Sequence, residues 1–476
     1  MCDNRHYISE VPLSLNSVRK RVEAFLSSNG LRLAALERYV VISRDEDGDE
    51  IIAGGGLDGN VIKCVAVSEA ARSEGLMNIL VSRLIAIAHE EGHDSVKAFT
   101  KPANEDIFKS LGFELLASSN NAILMENGRG GLPEYRKYLE SLARPGRNGA
   151  IVMNANPFTK GHRYLIEQAA SQVDNLYVIV VKEDRSRFPY VERKAMIEAG
   201  CAGLDNVIVC EGSDYAVSAA TFPTYFLKQL DDATPTHMAL DLDLFVKHIA
   251  RPLGVTVRFA GSEPEDNLTH CYNEMMSEIL PAGGYNATSQ ENGIKFVEIP
   301  RLEQNGRPVS ATSLRSALDR GDLKAAMEFV PVSTVPYLIA ELAERSLRLE
   351  LDTTPKPGLV DKQDTGSHKD MDYALMSASI SALRPYLTKI AVGAVAGVNA
   401  AEIMSIGIDA ETSMLRATGG VNTHKGALFC IGLSVAAASF LACGTGTVDA
   451  DAFRELVSRT ASQIPSAQST HGAEAK

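Results

Sequence analysis

The sequence predicts an α/β protein in three successive parts: an α+β domain, a doubly wound parallel sheet and an all-α segment. Strand-like runs surround an amphipathic helix between about residues 5 and 130. From residue 150, short apolar runs alternate with longer helical patterns, which is typical of βαβ units around a buried parallel sheet. Beyond about residue 340, the long apolar runs contain many small residues and indicate buried helices.

The composition limits the class of partner. The chain has 476 residues, 45% hydrophobic and 22% charged, which is enough for about three domains. A net charge of −13 argues against binding to nucleic acids or membranes and leaves small molecules and proteins. The start "MCDNRHYISEVPLS" lacks a basic region followed by an apolar core, so we expect a cytoplasmic protein. We interpret "ALFCIGLSVAAASFLACG" as a buried helix and not as a membrane span.

The first domain, residues 5–130, carries a loop between a strand and a helix. "RYVVISRDEDGDEIIAGGGLDGNVIKCVAV" predicts consecutive strands, and "LMNILVSRLIAIAHEEG" predicts the helix. The joint "VAVSEAARSEGLMNIL" resembles the pyrophosphate loop of GNAT N-acetyltransferases, with Arg72 and Gly75 in place and Met77 where that family has a small residue. The resemblance implies a GNAT-like fold, and Met77 argues against acetyl transfer from acetyl-CoA. Residues 131–149, rich in Gly, Arg and Pro around a short polar helix, are predicted to be a linker.

The second domain, residues 150–340, begins with a polar stretch at the end of its first strand. Its predicted elements are "AIVMNA", "HRYLIEQAASQV", "LYVIVV", "ERKAMIEAGCAGL", "VIVCEG", "TFPTYFLKQL" and "HMALDL", of which the last is predicted to be a strand. Ligands of parallel sheets bind beyond the carboxyl ends of the strands. The stretch "NANPFTKGH" lies at such an end, and the helix after it offers free N–H groups to a phosphate. There Gly161 would let the backbone approach, and His162 would donate to the α-phosphate.

Two motifs of this domain resemble signatures of the nucleotidyltransferase α/β superfamily. Thr159, Lys160, Gly161 and His162 match its (His/Thr)-x-Gly-His motif. "VSATSLR", with Ser310, Thr312 and Arg315, matches Ile-Ser-x-Thr-x-x-Arg. Either motif alone is weak, because Ser or Thr before a helix is usually a cap. Because both occur in order, the pair predicts an ATP site.

The domain resembles one family within that superfamily more closely. "MNANPFTKGHRYLIEQAA", "DLDLF", "RFAGSEPEDNLTHCYNEMM" and the long stretch around "VSATSLRSALDRGDLKAAMEF" are similar to citrate lyase ligase, which also has a GNAT-like N-terminal domain. The resemblance implies that acetate attacks ATP to give acetyl-AMP and pyrophosphate. A thiol on the phosphoribosyl-dephospho-CoA arm of the citrate lyase acyl carrier subunit then takes the acetyl group.

The resemblance also implies roles for individual residues. His162 is assigned to the α-phosphate, Thr159 to the phosphates, and Arg315 to the β- and γ-phosphates. Further expected nucleotide-binding residues are Asn154, Pro157, Phe158, Lys160, Gly161, Arg193, Ser310 and Thr312. For Lys160, and for the pair Arg193 and Lys194, a purely solvated position stays open. Mg²⁺ is expected with ATP. Asp241 and Asp243 could bind it or could serve as caps or turns, so no metal ligands are assigned.

The third part, residues 341–476, carries two polar loops. "TPKPGLVD" and "GSHKDMD" contribute Lys356, His368 and Asp370, and "ATGGVNTHKGA" contributes Asn422, His424 and Lys425 before a helix. Donor-rich loops at helix starts suit polyphosphate. Together these stretches resemble the N-terminal part of triphosphoribosyl-dephospho-CoA synthase, an all-helical enzyme that joins ATP and dephospho-CoA and releases adenine. Since that family continues further, we expect this segment to be incomplete or vestigial.

Two other functions stay open at this point. The chain could be another adenylyltransferase, such as a pantetheine-phosphate type, that leaves AMP on its product. It could also be a non-catalytic sensor of CoA derivatives.

Overall fold

The computed structural model describes residues 6–45, 50–128, 131–182, 186–213, 215, 233–263, 267–285, 293–304 and 307–463. The chain divides into two compact units that are interleaved in sequence. The first unit comprises Met1–Met153, Gln168–Glu183 and Asn206–Pro300, and the second comprises Asn154–Glu167, Asp184–Asp205 and Arg301–Lys476.

The first unit contains a seven-stranded mixed sheet of order β1-β2-β3-β4-β5-β7-β6. Its elements are β1 (Tyr7–Glu10), α1 (Asn16–Ser28), β2 (Arg38–Ser43), β3 (Ile51–Asp58), β4 (Val61–Val67), α2 (Leu76–Glu90), β5 (Ser95–Thr100), α3 (Glu105–Ser110), β6 (Glu114–Ser118) and β7 (Ile123–Gly128). Neighbouring strands are antiparallel except β4 and β5, which are parallel. The predicted α+β fold of this part is confirmed.

Both faces of this sheet are covered, as the alternation in β2 shows. Tyr39 and Val41 face a core that includes residues of α1, whereas Val40 and Ile42 face a core that includes residues of α2. Successive side chains of a strand point to opposite faces, so an uninterrupted apolar run indicates burial on both.

A second sheet of the same unit is wholly parallel, with order β10-β9-β8-β11-β12. Its strands are β8 (Asn148–Met153), β9 (Asn175–Val180), β10 (Val207–Cys210), β11 (Val255–Gly261) and β12 (Lys295–Ile299). The helices in this part of the sequence are α4 (Gly131–Leu142), α5 (Lys160–Ala170), α6 (Tyr190–Gly200), α7 (Ala233–Leu244), α8 (Arg251–Leu253) and α9 (Asn267–Ala282). The strand order reverses at β8, so the predicted doubly wound parallel sheet is confirmed.

The second unit ends in a helical region. After the short strands β13 (Glu303–Gln304) and β14 (Arg307–Pro308) come α10 (Ala311–Asp319), α11 (Leu323–Met327), α12 (Val335–Asp352), α13 (Tyr373–Ala396), α14 (Ala400–Ala417), α15 (Lys425–Thr445) and α16 (Ala450–Gln463). Helix α13 is central, because it packs against α12, α14 and α15. The predicted all-α segment is confirmed.

One element predicted for the second domain is wrong, and another lies outside the described residues. The prediction of a strand at "HMALDL" is wrong, because these residues lie in α7. Met238, Leu240 and Leu242 are all buried, and their spacing of two residues imitates a strand although the helix is simply covered on several sides. The predicted helix "TFPTYFLKQL", residues 221–230, lies outside the described residues.

Most of residues 131–149 forms the helix α4, which packs into two cores. Leu132 is buried in the core beneath β2 and α1, and Leu139 is buried in the core of the parallel sheet. The first core also contains Leu240 and Leu244 of α7. The two sheets of the first unit therefore share apolar packing.

Helix α15 is long and apolar enough to cross a membrane by length and composition, with a mean hydropathy of 2.1 over its most apolar window. Half of that window is buried inside the protein, as in a core helix. Leu428, Leu433 and Val435 are among its buried residues. The interpretation of this run as a helix of the core agrees with these contacts.

Candidate active site

The loop of residues 154–159, here named the entry loop, leads from β8 into α5. Arg193 of α6 is fully buried, and its guanidinium donates to the carbonyls of Asn154 (2.8 Å) and Phe188 (3.1 Å). The Phe188 N–H donates to the Asn156 side chain at 3.1 Å. Ala155 has φ of 48°, a left-handed conformation that costs a non-glycine residue about 1 kcal/mol or more and persists only where the surroundings impose it. The buried guanidinium thus fixes the shape of the entry loop.

The Phe158 ring packs against one face of the His162 imidazole. Its ring is fully buried and stacks on the His162 ring with centroids 5.8 Å apart. Gly200 at the end of α6 makes room for it, since a Cβ there would overlap the Phe158 ring. Packing therefore limits the rotation of the His162 side chain.

His162 is held in one tautomer. Its Nδ1 accepts the Thr159 backbone N–H at 3.0 Å and lies 2.9 Å from the Thr159 hydroxyl. Burial, and secondarily the positive charge of Arg301, lowers its pKa to about 4. The ring is consequently neutral at pH 7, with its proton on Nε2. Within the described part of the chain Nε2 has no partner, so it is available as a donor.

The second motif meets the entry loop. Ser310 caps α10 by accepting the Thr312 N–H at 3.1 Å. Arg315, one turn later, donates to the carbonyl of Asn156 (3.1 Å) and to the Thr312 hydroxyl (3.2 Å). The structure therefore brings the two predicted motifs into direct contact, although about 150 residues separate them in the sequence.

The assembled groups form an anion site. The N-terminus of α5 supplies partial positive charge and the N–H of Gly161, because the N–H groups of Lys160 and His162 donate to the Phe329 carbonyl and the Thr159 hydroxyl. Arg301 is close enough to His162 to lower its pKa, and the half-buried Arg315 donates to Asn156 of the entry loop. A Cβ at Gly161 would meet only the Thr159 hydroxyl and the Val309 carbonyl, both at 3.5 Å, so the protein leaves space there. Such an arrangement can bind a triphosphate and neutralise charge that develops on phosphorus oxygens.

Three predicted nucleotide contacts are instead supports of the loop. Pro157 and Phe158 are buried. Arg193 is fully buried, so it is neither solvated nor exposed to a ligand. The expected position on the helix surface is wrong because α6 is covered on more than one side. Its neighbour Lys194 pairs with Glu198 at 3.2 Å.

The remaining loop residues have local partners. Lys160 donates through Nζ to the Glu328 carbonyl at 2.8 Å. Asn154 donates to the Ser186 hydroxyl at 3.2 Å.

The acidic pair of α7 is occupied by protein donors. Asp243, fully buried, accepts from the Ser118 N–H (2.8 Å), Lys247 (2.6 Å) and the Tyr285 N–H (3.2 Å). Asp241 accepts from the Tyr272 hydroxyl. No group of three potential metal-ligating side chains occurs among the described residues. Of the two alternatives for this pair, the contacts favour a structural one.

In the helical region, Asp361 folds the first polar loop into a tight turn. Its carboxylate accepts from the N–H groups of Gln363 (2.7 Å), Lys356 (2.9 Å) and Asp364 (3.1 Å) and from the Thr354 hydroxyl (2.7 Å). These hydrogen bonds, led by that of Gln363, hold its pKa far below the usual range. The turn places Lys356, whose Nζ lies 2.8 Å from Glu350, close enough to help lower the pKa of His424.

His424 is also held in one tautomer. The Thr423 hydroxyl donates to Ser379 at 2.6 Å, which leaves the Ser379 hydroxyl to donate to His424 Nδ1 at 2.8 Å. Burial lowers the pKa of His424, so the neutral ring carries its proton on Nε2. Nε2 is buried without a partner in the described part of the chain. A buried donor without an acceptor is costly and suggests a ligand.

The other predicted residues of this region fall into two groups. His368 and Asp370 line an open depression of about 890 Å³ at the start of α13. Asn422 caps α15 by accepting the Lys425 N–H at 3.2 Å, and the Lys425 ammonium pairs with Glu411 at 2.6 Å. Of the six predicted residues, the structure brings Lys356 near His424.

A cavity of about 490 Å³ lies in the first unit where β4 and β5 separate. The two strands pair only at Val61↔Lys97 and Ile62↔Ala98. Arg72 and Met77 line the cavity, together with Asn29, Leu31, Ile62, Val65, Ala66, Val67, Phe99, Thr100, Lys101, Asn104, Ile107 and Phe108. Met77 thus occupies part of the space that a smaller residue would leave open.

Comparison with known proteins gives the family. A family model described as the citrate lyase ligase C-terminal domain matches residues 148–338. The [citrate (pro-3S)-lyase] ligase of Klebsiella pneumoniae is 41% identical over 328 residues, which are 68% of this chain and 94% of that protein. The chain belongs to the citrate lyase ligase family. It is accordingly an enzyme of a ligase family that uses ATP.

Two further similarities cover the ends of this ligase-family chain. A family model described as ATP:dephospho-CoA triphosphoribosyl transferase matches residues 336–472. The 2-(5''-triphosphoribosyl)-3'-dephosphocoenzyme-A synthase of Pectobacterium atrosepticum is 42% identical over 135 residues, so the chain spans 45% of that relative's length. A GNAT-family acetyltransferase of known structure from Staphylococcus aureus aligns with 26% of this chain and all of its own, with a TM-score of 0.22 and 13% identity.

The sequence interpretation did not single out three residues that the structure places around the predicted motifs. Arg301 contributes positive charge near His162, Arg187 joins α10 to α12, and Glu192 anchors α6. Arg301 precedes the start of the second motif by eight positions and could have been suspected as a cation near it. Arg187 and Glu192 gave no signal, because their partners lie more than 120 residues away.

Gly161→Ala should impair nucleotide binding without destabilising the protein. The added methyl meets no protein atom closer than 3.5 Å, and alanine favours a helix by about 0.5–1 kcal/mol. We expect an unchanged or higher melting temperature and a raised KM for ATP. Gly407→Ala in α14, also with open space around its Cβ, is the matched control and should change only stability. An unaltered KM for ATP in Gly161→Ala would place the phosphates elsewhere.

Proposed function

We propose that this chain activates citrate lyase by ATP-dependent acetylation of the prosthetic-group thiol on the acyl carrier subunit. Membership of the ligase family supports the overall reaction. The observation that carries the mechanism is the available His162 Nε2–H at the start of α5, which follows an entry loop that also accepts a hydrogen bond from Arg315. Partners of the reaction are ATP, acetate and the carrier with its phosphoribosyl-dephospho-CoA arm.

The first half-reaction forms acetyl-AMP. A carboxylate oxygen of acetate bonds to the α-phosphorus of ATP, and the bond from that phosphorus to its bridging oxygen breaks. Pyrophosphate leaves with the electron pair. His162 donates to an oxygen of the α-phosphate as its charge grows, while Arg315 and the N-terminus of α5 hold the remaining phosphates. Because the ring is neutral before ATP binds, it acts as a hydrogen-bond donor and gives up no proton.

The second half-reaction transfers the acetyl group. The carrier sulfur attacks the acetyl carbonyl carbon, the carbon–oxygen bond to AMP breaks, and the thiol proton is lost to solvent. A carboxylate does not react with a thiol until it has a good leaving group, and AMP supplies one.

Mg²⁺ enters this scheme with ATP. Magnesium usually keeps several waters and is bound by substrate phosphates with one or two carboxylates. The described residues lack a dedicated three-ligand cluster, which suits a metal that arrives on the triphosphate. Its charge would add to that of Arg315 and Arg301 on the phosphate oxygens.

The cavity between β4 and β5 is proposed to hold the CoA-like arm of the carrier and not to transfer acetyl groups from acetyl-CoA. Its apolar walls suit the pantetheine portion, and the cations Arg72 and Lys101 suit the phosphates. Met77 reduces the room at the helix start, where the GNAT-like loop would hold the pyrophosphate of acetyl-CoA.

The helical region is proposed to take part in making the prosthetic-group precursor from ATP and dephospho-CoA. The similarity of residues 336–472 to the transferase family supports this, and so does the buried donor of His424 beside Lys356. A phosphate or ribose oxygen is the expected acceptor.

His162→Ala should slow acetate-dependent exchange of pyrophosphate into ATP by about 10²- to 10³-fold, the usual loss for one preorganised donor. His162→Gln places an amide N–H near the position of Nε2 and should retain more activity than alanine. Exchange that survives intact in His162→Ala would refute the assignment. AMP release on adding the thiol carrier separates this function from an adenylyltransferase, which would keep AMP on its product, and from a sensor, which would release none.

Reversing the charge at the cavity mouth, with Arg72→Glu and Lys101→Glu together, should raise the KM for the holo carrier and leave the exchange reaction unchanged. Arg83→Glu, on the same helix α2 as Met77 but outside the cavity, is the matched control. Equal effects of both variants would show only a general charge effect. CoA release from acetyl-CoA with small amine acceptors would contradict the absence of acetyl transfer.

Incubation of the chain with ATP and dephospho-CoA, followed by chromatography, tests the helical region through release of adenine. If the unaltered chain releases adenine, His424→Ala should abolish that release while exchange at the ligase site continues. Ser379→Ala, which removes the donor to Nδ1, should reduce it less. If the unaltered chain releases no adenine, this region does not perform the reaction by itself.

A further inference from the structure

Helix α13 of the synthase-like region bears a buried arginine that reaches α6. The Arg384 side chain is 6% exposed, and its Nε and Nη2 donate to the two carboxylate oxygens of Glu192 at 2.9 and 2.7 Å. This is the bidentate arrangement that fixes direction as well as distance. Thr388, one turn further along α13, donates to the same carboxylate at 2.6 Å. Glu192 is thus held by three donors from one helix.

The same guanidinium joins α13 to α12 and to the segment before α6. Its Nη1 donates to Glu344 at 2.9 Å. Its plane lies over the Phe188 ring, 5.7 Å from the centroid. One buried side chain therefore contacts three parts of the second unit.

Glu192 and Phe188 lead directly to the entry loop. Arg193, the next residue after Glu192, holds the carbonyls of Asn154 and Phe188. The Phe188 N–H holds Asn156, whose own carbonyl accepts from Arg315. A displacement of the first turn of α6 would be passed through these bonds to the loop that positions His162.

A second bridge acts on the other motif. Arg187 donates to Glu341 of α12 at 2.8 Å and to Asp319 at the end of α10 at 2.8 Å. Helix α10 begins with the Ser310 cap and carries Arg315. The entry loop is therefore linked to the helical region through the buried pair of Glu192 and Arg384. Helix α10 is linked to it through Arg187, whose bond to Glu341 is half-buried and whose bond to Asp319 is exposed.

These bridges join two parts that similarity assigns to different enzymes. The similarity to the Klebsiella pneumoniae ligase covers 68% of this chain and 94% of that ligase. Residues 336–472 match the family model of a different enzyme. Arg384 and Thr388 come from the second family's region, and Glu192 comes from the ligase region.

We propose that the synthase-like helices have a second function, to position the ATP site of the ligase, and that Arg384 is the positioning residue through which they do so. This inference rests on the proposed adenylation of acetate. Arg384 does not touch ATP. It fixes Glu192, and through α6 and Arg193 it keeps the entry loop in the conformation that presents Nε2–H of His162 to the α-phosphate.

The test is the KM for ATP in acetate-dependent exchange, measured on the full chain with Arg384→Gln. A misplacement of catalytic groups by about 1 Å can cost about 100-fold in rate, so we expect kcat/KM for ATP to fall about 10- to 100-fold, with a raised KM as part of that loss. Arg348→Gln is the matched control, because Arg348 lies on α12, pairs with Glu344 and donates to Ser377 and Ser381 of α13, yet makes no contact with α6 in the described structure. Its KM should stay within about twofold of the unaltered chain.

A second variant separates positioning from folding. Replacing both partners, Glu192→Met with Arg384→Met, removes the buried charges together, and such replacements are often neutral for stability. We expect this protein to fold with a raised KM for ATP. If it has normal stability and normal KM, the pair only fills space and the inference is wrong. No exchange activity in the unaltered chain would instead overturn the proposed function itself.

Discussion

The buried guanidinium of Arg193 is the interaction on which the adenylating site depends. A fully buried arginine is tolerated only where its donors are satisfied, and here two backbone carbonyls, those of Asn154 and Phe188, accept from it. Those carbonyls belong to chain segments that have no regular hydrogen-bond ladder of their own. The left-handed Ala155, the stacking of Phe158 under His162 and the contact of Asn156 with Arg315 all require the shape that Arg193 imposes.

Most elements of the fold follow from short-range patterns. The strands β2, β3, β4, β8, β9 and β10 and the helices α2, α5 and α6 lie in runs whose periodicity predicts them. Helix α15 is predicted by its long apolar run and not by periodicity. The error at α7 has a physical cause: buried Met238, Leu240 and Leu242 leave the helix without a polar face, and periodicity cannot then separate a helix from a strand. The strands β11 and β12 were not anticipated, since each carries charged residues among its apolar ones.

The motif residues of the candidate site could be predicted from the sequence, but the residues that hold them in place could not. Thr159, Gly161, His162 and Arg315 were found because their residue types and spacing match phosphate chemistry. Arg193 was expected to bind the nucleotide, with a solvated position as the alternative, because consecutive charged residues on a helix usually face water. It is buried, since Glu192 beside it is neutralised by Arg384, which lies 192 positions later in the sequence. No local sequence pattern can predict a partner that lies so far away in the sequence.

Asp243 gives the first unit an unusual kind of cooperativity. Its buried carboxylate, on α7 beside the parallel sheet, accepts the N–H of Ser118 at the end of β6 in the mixed sheet, and Leu240 and Leu244 of the same helix enter the core beneath β2. Opening either sheet alone would leave that carboxylate partly unpaired and apolar surface exposed. The two sheets should therefore behave as a single foldon, with amides on both protected from hydrogen exchange by the same opening free energy. The mixed sheet and the parallel sheet should then unfold together.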